Sequence, residues 1–181
     1  FSANSAGWGG GIRSEGGTLT VSSSTFSGNS SAENGGGIDN HGTLTVSNST
    51  FSSNSAIASY WGEGGGISNT GTLTVSNSTF SGNSAAFLGG GIYNNPPNGT
   101  VMLQNAIVAN SPAGSNCYGA ITDGGGNLSY PDATCPGINA NPLLSPLQNN
   151  GGPTQTMALG AGSAAIDAGI DAICAAPPVN N

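Results

Sequence analysis

The chain has 181 residues, 32 of them glycine, and one basic side chain, Arg13, against eight acids, for a formal charge of −7. That balance excludes nucleic acid and anionic membrane surfaces as partners, and no apolar run approaches the roughly 20 residues of a membrane span. So polar a composition would suit a disordered chain, but the large apolar residues recur in strict columns, which disorder does not produce.

From the N-terminus, Phe1–Asn4 reads as the tail of a repeat whose beginning lies upstream, so the chain is expected to be a processed piece of a longer product. Copies then follow at Gly9–Asn29, Gly35–Asn54 and Gly64–Asn83, with a looser one at Gly89–Asn110. Phe1, Phe26 and Phe51 stand 25 residues apart; Phe80 follows after 29 and Val108 after 28 more. Insertions near Ile57–Tyr60 and Asn95–Pro97 leave the apolar positions aligned, as loops on a stacked solenoid do.

Within one copy, Leu44 and Val46 alternate with Thr43, Thr45 and Ser47, the period-2 pattern of a half-buried strand. Ile38 and Phe51 mark two more short strands, and no room remains for a helix. Identical strands at a fixed interval stack in parallel and in register, about 4.8 Å apart. The expected fold is therefore all-β, a right-handed parallel β-helix with three short strands per coil of about 25 residues. Four columns should form its core: Ile12, Ile38, Ile67 and Ile92; Leu19, Leu44, Leu73 and Val101; Val21, Val46, Val75 and Leu103; Phe26, Phe51, Phe80 and Val108. Asparagines should stack as ladders at Asn4/29/54/83, Asn40/69/94 and Asn48/77/105.

One domain spans 1–181, with regular repeats over 1–110 and irregular coils with a cap-like segment over 111–181. Asn141–Leu159 reads as a last irregular coil, and Ser163 as the cap of a short helical turn. Cys117 and Cys135 are placed for a disulfide, although Cys174, the odd one out, leaves other pairings open.

The paired Gly-Gly-x-Ile and Phe-x-x-Asn signatures of residues 1–110 resemble the repeats of the polymorphic outer membrane protein family, found in bacterial surface proteins and autotransporter passengers. Asn116-Cys117, Gly126-Asn127-Leu128, Asn141–Thr154 and Gly162–Gly169 resemble choice-of-anchor Q β-helix proteins. The resemblance implies a bacterial surface β-helix. The Cys-Asp-Ile-Gly-Ala-Phe-like ending usual in those proteins is absent, so the C-terminus is expected to be trimmed or to have diverged.

No enzyme, cofactor or metal site is expected. β-Helices do host polysaccharide lyases and hydrolases, but these need converging carboxylates, or calcium with a basic proton acceptor. Here Arg13 should stack against Asp39, and Glu15 should lie near His41, as two surface ion pairs. Asp167 and Asp171 could hold calcium only with help from backbone carbonyls, and a solvated loop is the better reading. Trp8, Tyr60, Trp61 and Phe87 all precede a Gly-Gly-Gly corner and should line one edge, as a contact for glycans or another subunit, or as packing beneath the insertion. The outward Thr18/20, Thr43/45 and Thr72/74 resemble an ice-binding array, though threonine is also simply a good outward strand residue. The expected function is non-enzymatic: a secreted extracellular or cell-surface structural or adhesive protein. Phe1, Ile12 and Phe26 form an open edge that favours head-to-tail stacking of subunits into a fibre. The alternatives are a carbohydrate-active or glycan-binding β-helix and an ice-binding one.

Overall fold

A computed structural model describes residues 1–175. The C-terminal part of the expected domain, 176–181, lies outside the described residues. Four columns of strands build the molecule, and every strand pair is parallel. The Ile sheet stacks Ile12–Ser14, Ile38–Asn40, Ile67–Asn69, Ile92–Asn94 and Cys117–Tyr118. The Leu sheet stacks Thr18–Ser22, Thr43–Ser47, Thr72–Ser76, Thr100–Gln104 and Thr122–Asp123. The Phe sheet runs from Thr25–Ser27 through Thr50–Ser52, Thr79–Ser81, Ile107–Ala109 and Leu128–Tyr130 to Ile138–Asn139.

A fourth sheet joins the three expected. Ser5–Ala6, Ser30–Ser31, Ser55–Ala56 and Ser84–Ala85 pair across successive coils. Two residues of serine and alanine carry no hydrophobic period, so only their stacking identifies them as strand.

Register places like on like. Ile12, Ile38, Ile67 and Ile92 are Cα partners in turn, and the Leu, Val and Phe columns form as the spacing predicts. Phe1, Phe26, Phe51 and Phe80 lie face to face, with ring centroids 4.5–4.6 Å apart and planes within 5°. The coil rise imposes that stacking on the rings. The corner before each Ile depends on glycine twice over. Gly35 has φ of +67°, and a methyl on Gly37 would come 3.1 Å from Cδ1 of Phe51.

Asparagine amides tie the corners together. Asn4, Asn29 and Asn54 each donate from Nδ2 to Oδ1 of the next ladder member, at 2.9, 2.8 and 2.9 Å, the last to Asn83. Asn40 donates to Asn69 and Asn69 to Asn94, at 2.7 and 3.0 Å. The third ladder is shorter than expected. Asn105 donates to Asn77 at 3.0 Å, while Asn48 has no side-chain bond to Asn77 among the described residues. What Asn48, Asn77 and Asn105 share is a left-handed backbone, with φ of 49, 45 and 46°. Asparagine tolerates that conformation better than most residues, so the turn selects it.

Beyond residue 140 the chain departs from expectation. Asn141–Leu159 is not a further coil. Leu144 bridges Leu159 and Gln148 bridges Thr156 in antiparallel fashion, making an irregular hairpin. Its tip returns to the first coil, where the Thr25 hydroxyl donates to the Gln155 carbonyl at 2.7 Å across 130 residues of sequence. Thr50, Ser52 and Ser81, which flank the inward phenylalanines and so face outward, are buried. The chain then passes a single turn at Ser163, whose Oγ accepts from the Ala165 N–H and donates to the Pro142 carbonyl. It reaches Asn105, whose amide brackets Ile170, accepting from its N–H at 2.8 Å and donating to its carbonyl at 3.1 Å. A one-turn helix, Asp171–Cys174, ends the described chain. Residues 141–175 thus form a strap along the solenoid. Cys117 and Cys135 are joined, and Cys174 is free and exposed.

Candidate functional site

Strand geometry gathers the chain's one Arg, its one His and two of its eight acids onto the outer face of the Ile sheet. The residue after each core Ile, or after Cys117, points away from the core, so register builds the column Arg13, Asp39, Ser68, Tyr93 and Tyr118. Residues two further along share this face, which adds Glu15 and His41.

Arg13, Glu15, Asp39 and His41 form one network. Arg13 Nε lies 2.7 Å from a Glu15 oxygen and 3.5 Å from Asp39 Oδ2. The guanidinium also sits over the Trp8 ring, 4.7 Å from its centroid. His41 Nε2 lies 3.0 Å from Asp39 Oδ2, and its Nδ1 is 2.8 Å from the Thr70 hydroxyl on the next coil. The expected Glu15–His41 pair is therefore replaced. Glu15 joins Arg13 on its own strand, and His41 turns to Asp39. Nor is the Arg13–Asp39 contact a surface pair, because Asp39 is only 1% exposed. A buried carboxylate draws in both Arg13 and the His41 ring nitrogen, since nothing else replaces its lost water.

Burial pushes the Asp39 carboxyl above its ordinary value, partly offset by the His41 hydrogen bond and by the charges of His41 and Arg13, with Glu15 adding to the rise. Glu63 is also raised by burial, an effect that the Tyr93 hydroxyl facing it moderates. The Tyr93 hydroxyl is pushed up to about 12 by burial, by Glu63 and by Tyr118. Tyr93 and Tyr118 stack with centroids 5.5 Å apart. Thr70, Glu63, Tyr93 and Tyr118 were absent from the sequence-based site. The signal for the tyrosines was available, because each follows a member of the Ile column just as Arg13 and Asp39 do.

The remaining candidates divide by location. Trp8, Tyr60, Trp61 and Phe87 are all exposed, Trp61 at 68%. The Phe87 N–H donates to the Gly62 carbonyl, which sets Phe87 one coil beyond Trp61. Phe26 is fully buried, Ile12 is partly buried against the core, and Phe1 closes the ring stack with 57% of its surface free. The threonine columns form in register through Thr18, Thr43, Thr72 and Thr100, and through Thr20, Thr45 and Thr74, where Met102 ends the array. Asp167 and Asp171 belong to no group of three or more possible metal ligands among the described residues. A recess between the solenoid and the strap is lined by Asn105, Asn127, Leu128, Ile138 and Ala165 and carries no acid or base.

Fold and face together define a parallel β-solenoid repeat protein with one charged, aromatic-flanked face. No family model matches the chain, and neither a curated protein nor a solved structure matches it. The resemblance to surface-protein repeats therefore rests on the quoted residues alone.

Proposed function

We propose that the chain is a structural or adhesive β-helix of an extracellular or cell-surface protein, working through its outer faces and its coil-to-coil surfaces rather than by catalysis. One observation carries this reading. The Phe stack and the Asn4/29/54/83 ladder run through the first coil without a break, and its outer edge offers the same positions that every inner coil uses. A further coil, from a longer chain or from a second copy, would continue both. End-to-end growth of subunits into a fibre is the finer form of the proposal, since a head-to-tail contact that does not close makes a filament.

The burial of Asp39 supports the non-catalytic part. A general acid or base must come within hydrogen-bond reach of the proton it moves, and this carboxyl lies behind Arg13 and His41. The Cys117–Cys135 bond fits an oxidising, extracellular setting. No helix among the described residues is long and apolar enough to cross a membrane.

Electron microscopy of the native material, before any denaturing step, tests the fibre. Filaments that Phe1→Asp abolishes without changing the circular dichroism of the subunit are the expected result. Monodisperse short rods at all concentrations would remove the end-to-end form.

A further inference from the structure

We propose that the edge carrying Trp8, Trp61 and Phe87, with Arg13, Glu15 and His41 beside it, binds a neutral, extended polysaccharide laid along the solenoid axis. The inference names a ligand for the adhesive reading above and rests on it.

Spacing is the first argument. Trp61 and Phe87 sit on successive coils at one corner, and Trp8 precedes the equivalent glycine of the first coil. The coil rise is visible in the core rings, 4.5–4.6 Å apart. That is close to the length of one pyranose unit in an extended chain, so adjacent sugars would meet Trp61 and Phe87. Trp8 lies two coils from Trp61, across a second coil whose corner carries Glu33 and Asn34. All three rings are exposed, at 41, 68 and 47% for Trp8, Trp61 and Phe87. Aromatic faces of this kind suit the C–H faces of sugar rings.

Preorganisation is the second. Arg13 braces the Trp8 indole from one side. Glu15 and Asp39 hold Arg13, while Asp39 and Thr70 hold His41. Arg13 and His41 side chains stay 35% exposed, so they present fixed polar groups to hydroxyls without paying again for ordering.

Charge selects the class of glycan. The formal charge is −7, and the single Arg is already matched by two carboxylates. An acidic polysaccharide would find repulsion here and no unpaired cation.

The chain contains two tryptophans, Trp8 and Trp61, so intrinsic fluorescence reports on this edge alone. Titration of the full chain with xyloglucan, a mannan and chitin oligosaccharides should give a saturable emission change with at least one of them. Polygalacturonate should give none. The Trp8→Ala/Trp61→Ala variant, followed by affinity electrophoresis, should bind roughly tenfold or more weakly, the effect of losing aromatic anchors. Its melting temperature should fall by no more than a few degrees, the loss of the Arg13 contact with the partly exposed Trp8 ring. Absence of a saturable response to every neutral probe, a stronger response to polygalacturonate, or unchanged affinity in the double variant would each overturn the proposal. So would sedimentation showing a self-association that the variant dissolves while no glycan binds, because the occupant would then be a second copy. Glycan retention that survives the double substitution would refute this face while leaving the structural or adhesive reading standing. Loss of both filaments and glycan retention in the unsubstituted chain would remove that reading itself.

Discussion

The regular coils and the strap are held by different physics. In coils 1–110 the core and ladder side chains meet copies of themselves one coil away: Phe on Phe, Asn on Asn, Ile on Ile. Stability there comes from nearest-neighbour interfaces repeated along an axis. Residues 141–175 meet nothing like themselves. They are tied by single polar contacts, Thr25 to Gln155 and Asn105 to Ile170, far apart in sequence. The contrast teaches that a repeat tolerates polar residues in its core when each has an identical partner. The strap, with one copy of everything, depends on individual bonds.

The largest break in the comparison is Phe51→Ala. Phe51 is fully buried between two stacked rings, and truncation should cost about 3–5 kcal/mol by leaving a cavity the stack cannot close. A large fall in melting midpoint by calorimetry is expected; a change of only a few tenths of a kcal/mol would mean the ring stack is not the core.

Asn54→Ala comes next. Its Oδ1 accepts from both the backbone and the side chain of Asn29, and its Nδ2 donates to the Phe26 carbonyl and to Asn83. Removal strands buried groups on both sides, each worth about 1–3 kcal/mol, and denaturant titration should find a loss of about 3 kcal/mol in all. Asn48→Gly, which breaks no ladder bond and keeps a residue at ease with a φ of 49°, serves as the control and should cost less than about 1 kcal/mol.

Cys117→Ser/Cys135→Ser removes a link across a sequence separation of 18 and should cost about 2–3 kcal/mol. Hydrogen exchange should show the loss confined to the region around Cys117–Ile138, sparing the coils before Asn83. Uniform loss along the chain would mean that the two regions unfold as one unit.

Thr25→Val tests the strap from the solenoid side. It deletes one hydrogen bond and should cost about 1 kcal/mol or less. Faster exchange at Gly151–Thr156, with the ladders unmoved, is the expected signature.

The smallest effect is a pH slope. The folded-state carboxyl of Asp39 titrates above its ordinary 3.8. A group raised in this way contributes stability that is complete below the unfolded value and lost as pH rises through the folded one. The melting temperature should therefore carry a downward component over that window, absent from Asp39→Asn. An identical slope in both proteins would place the acid dependence elsewhere.

The repeats were legible because every position could be read against copies 25–29 residues away. Ile38 is a core residue because Ile12 and Ile67 say so, and the Asn54 amide has a partner because Asn29 and Asn83 exist. The Arg13–Asp39 neighbourhood followed from the same register. Its inner geometry did not, because sequence places side chains on a face without saying which rotamer each takes. Glu15 could face His41 or Arg13 with equal ease on paper, and the unmet charge of a buried Asp39 drew His41 away.

Three features were decided only by the tertiary structure. The Ser-Ala strands are too short and too small to leave a hydrophobic period. The return of Asn141–Leu159 along the solenoid depends on partners such as Thr25 that no periodicity connects to it. The burial of Asp39 depends on what its neighbours cover. By itself the sequence determined the parallel solenoid, its core columns and two of its asparagine ladders. It could do so because periodic burial repeats one physical choice at every coil, whereas a strap and a charge network are each chosen once, by contacts that exist only after the coils have stacked.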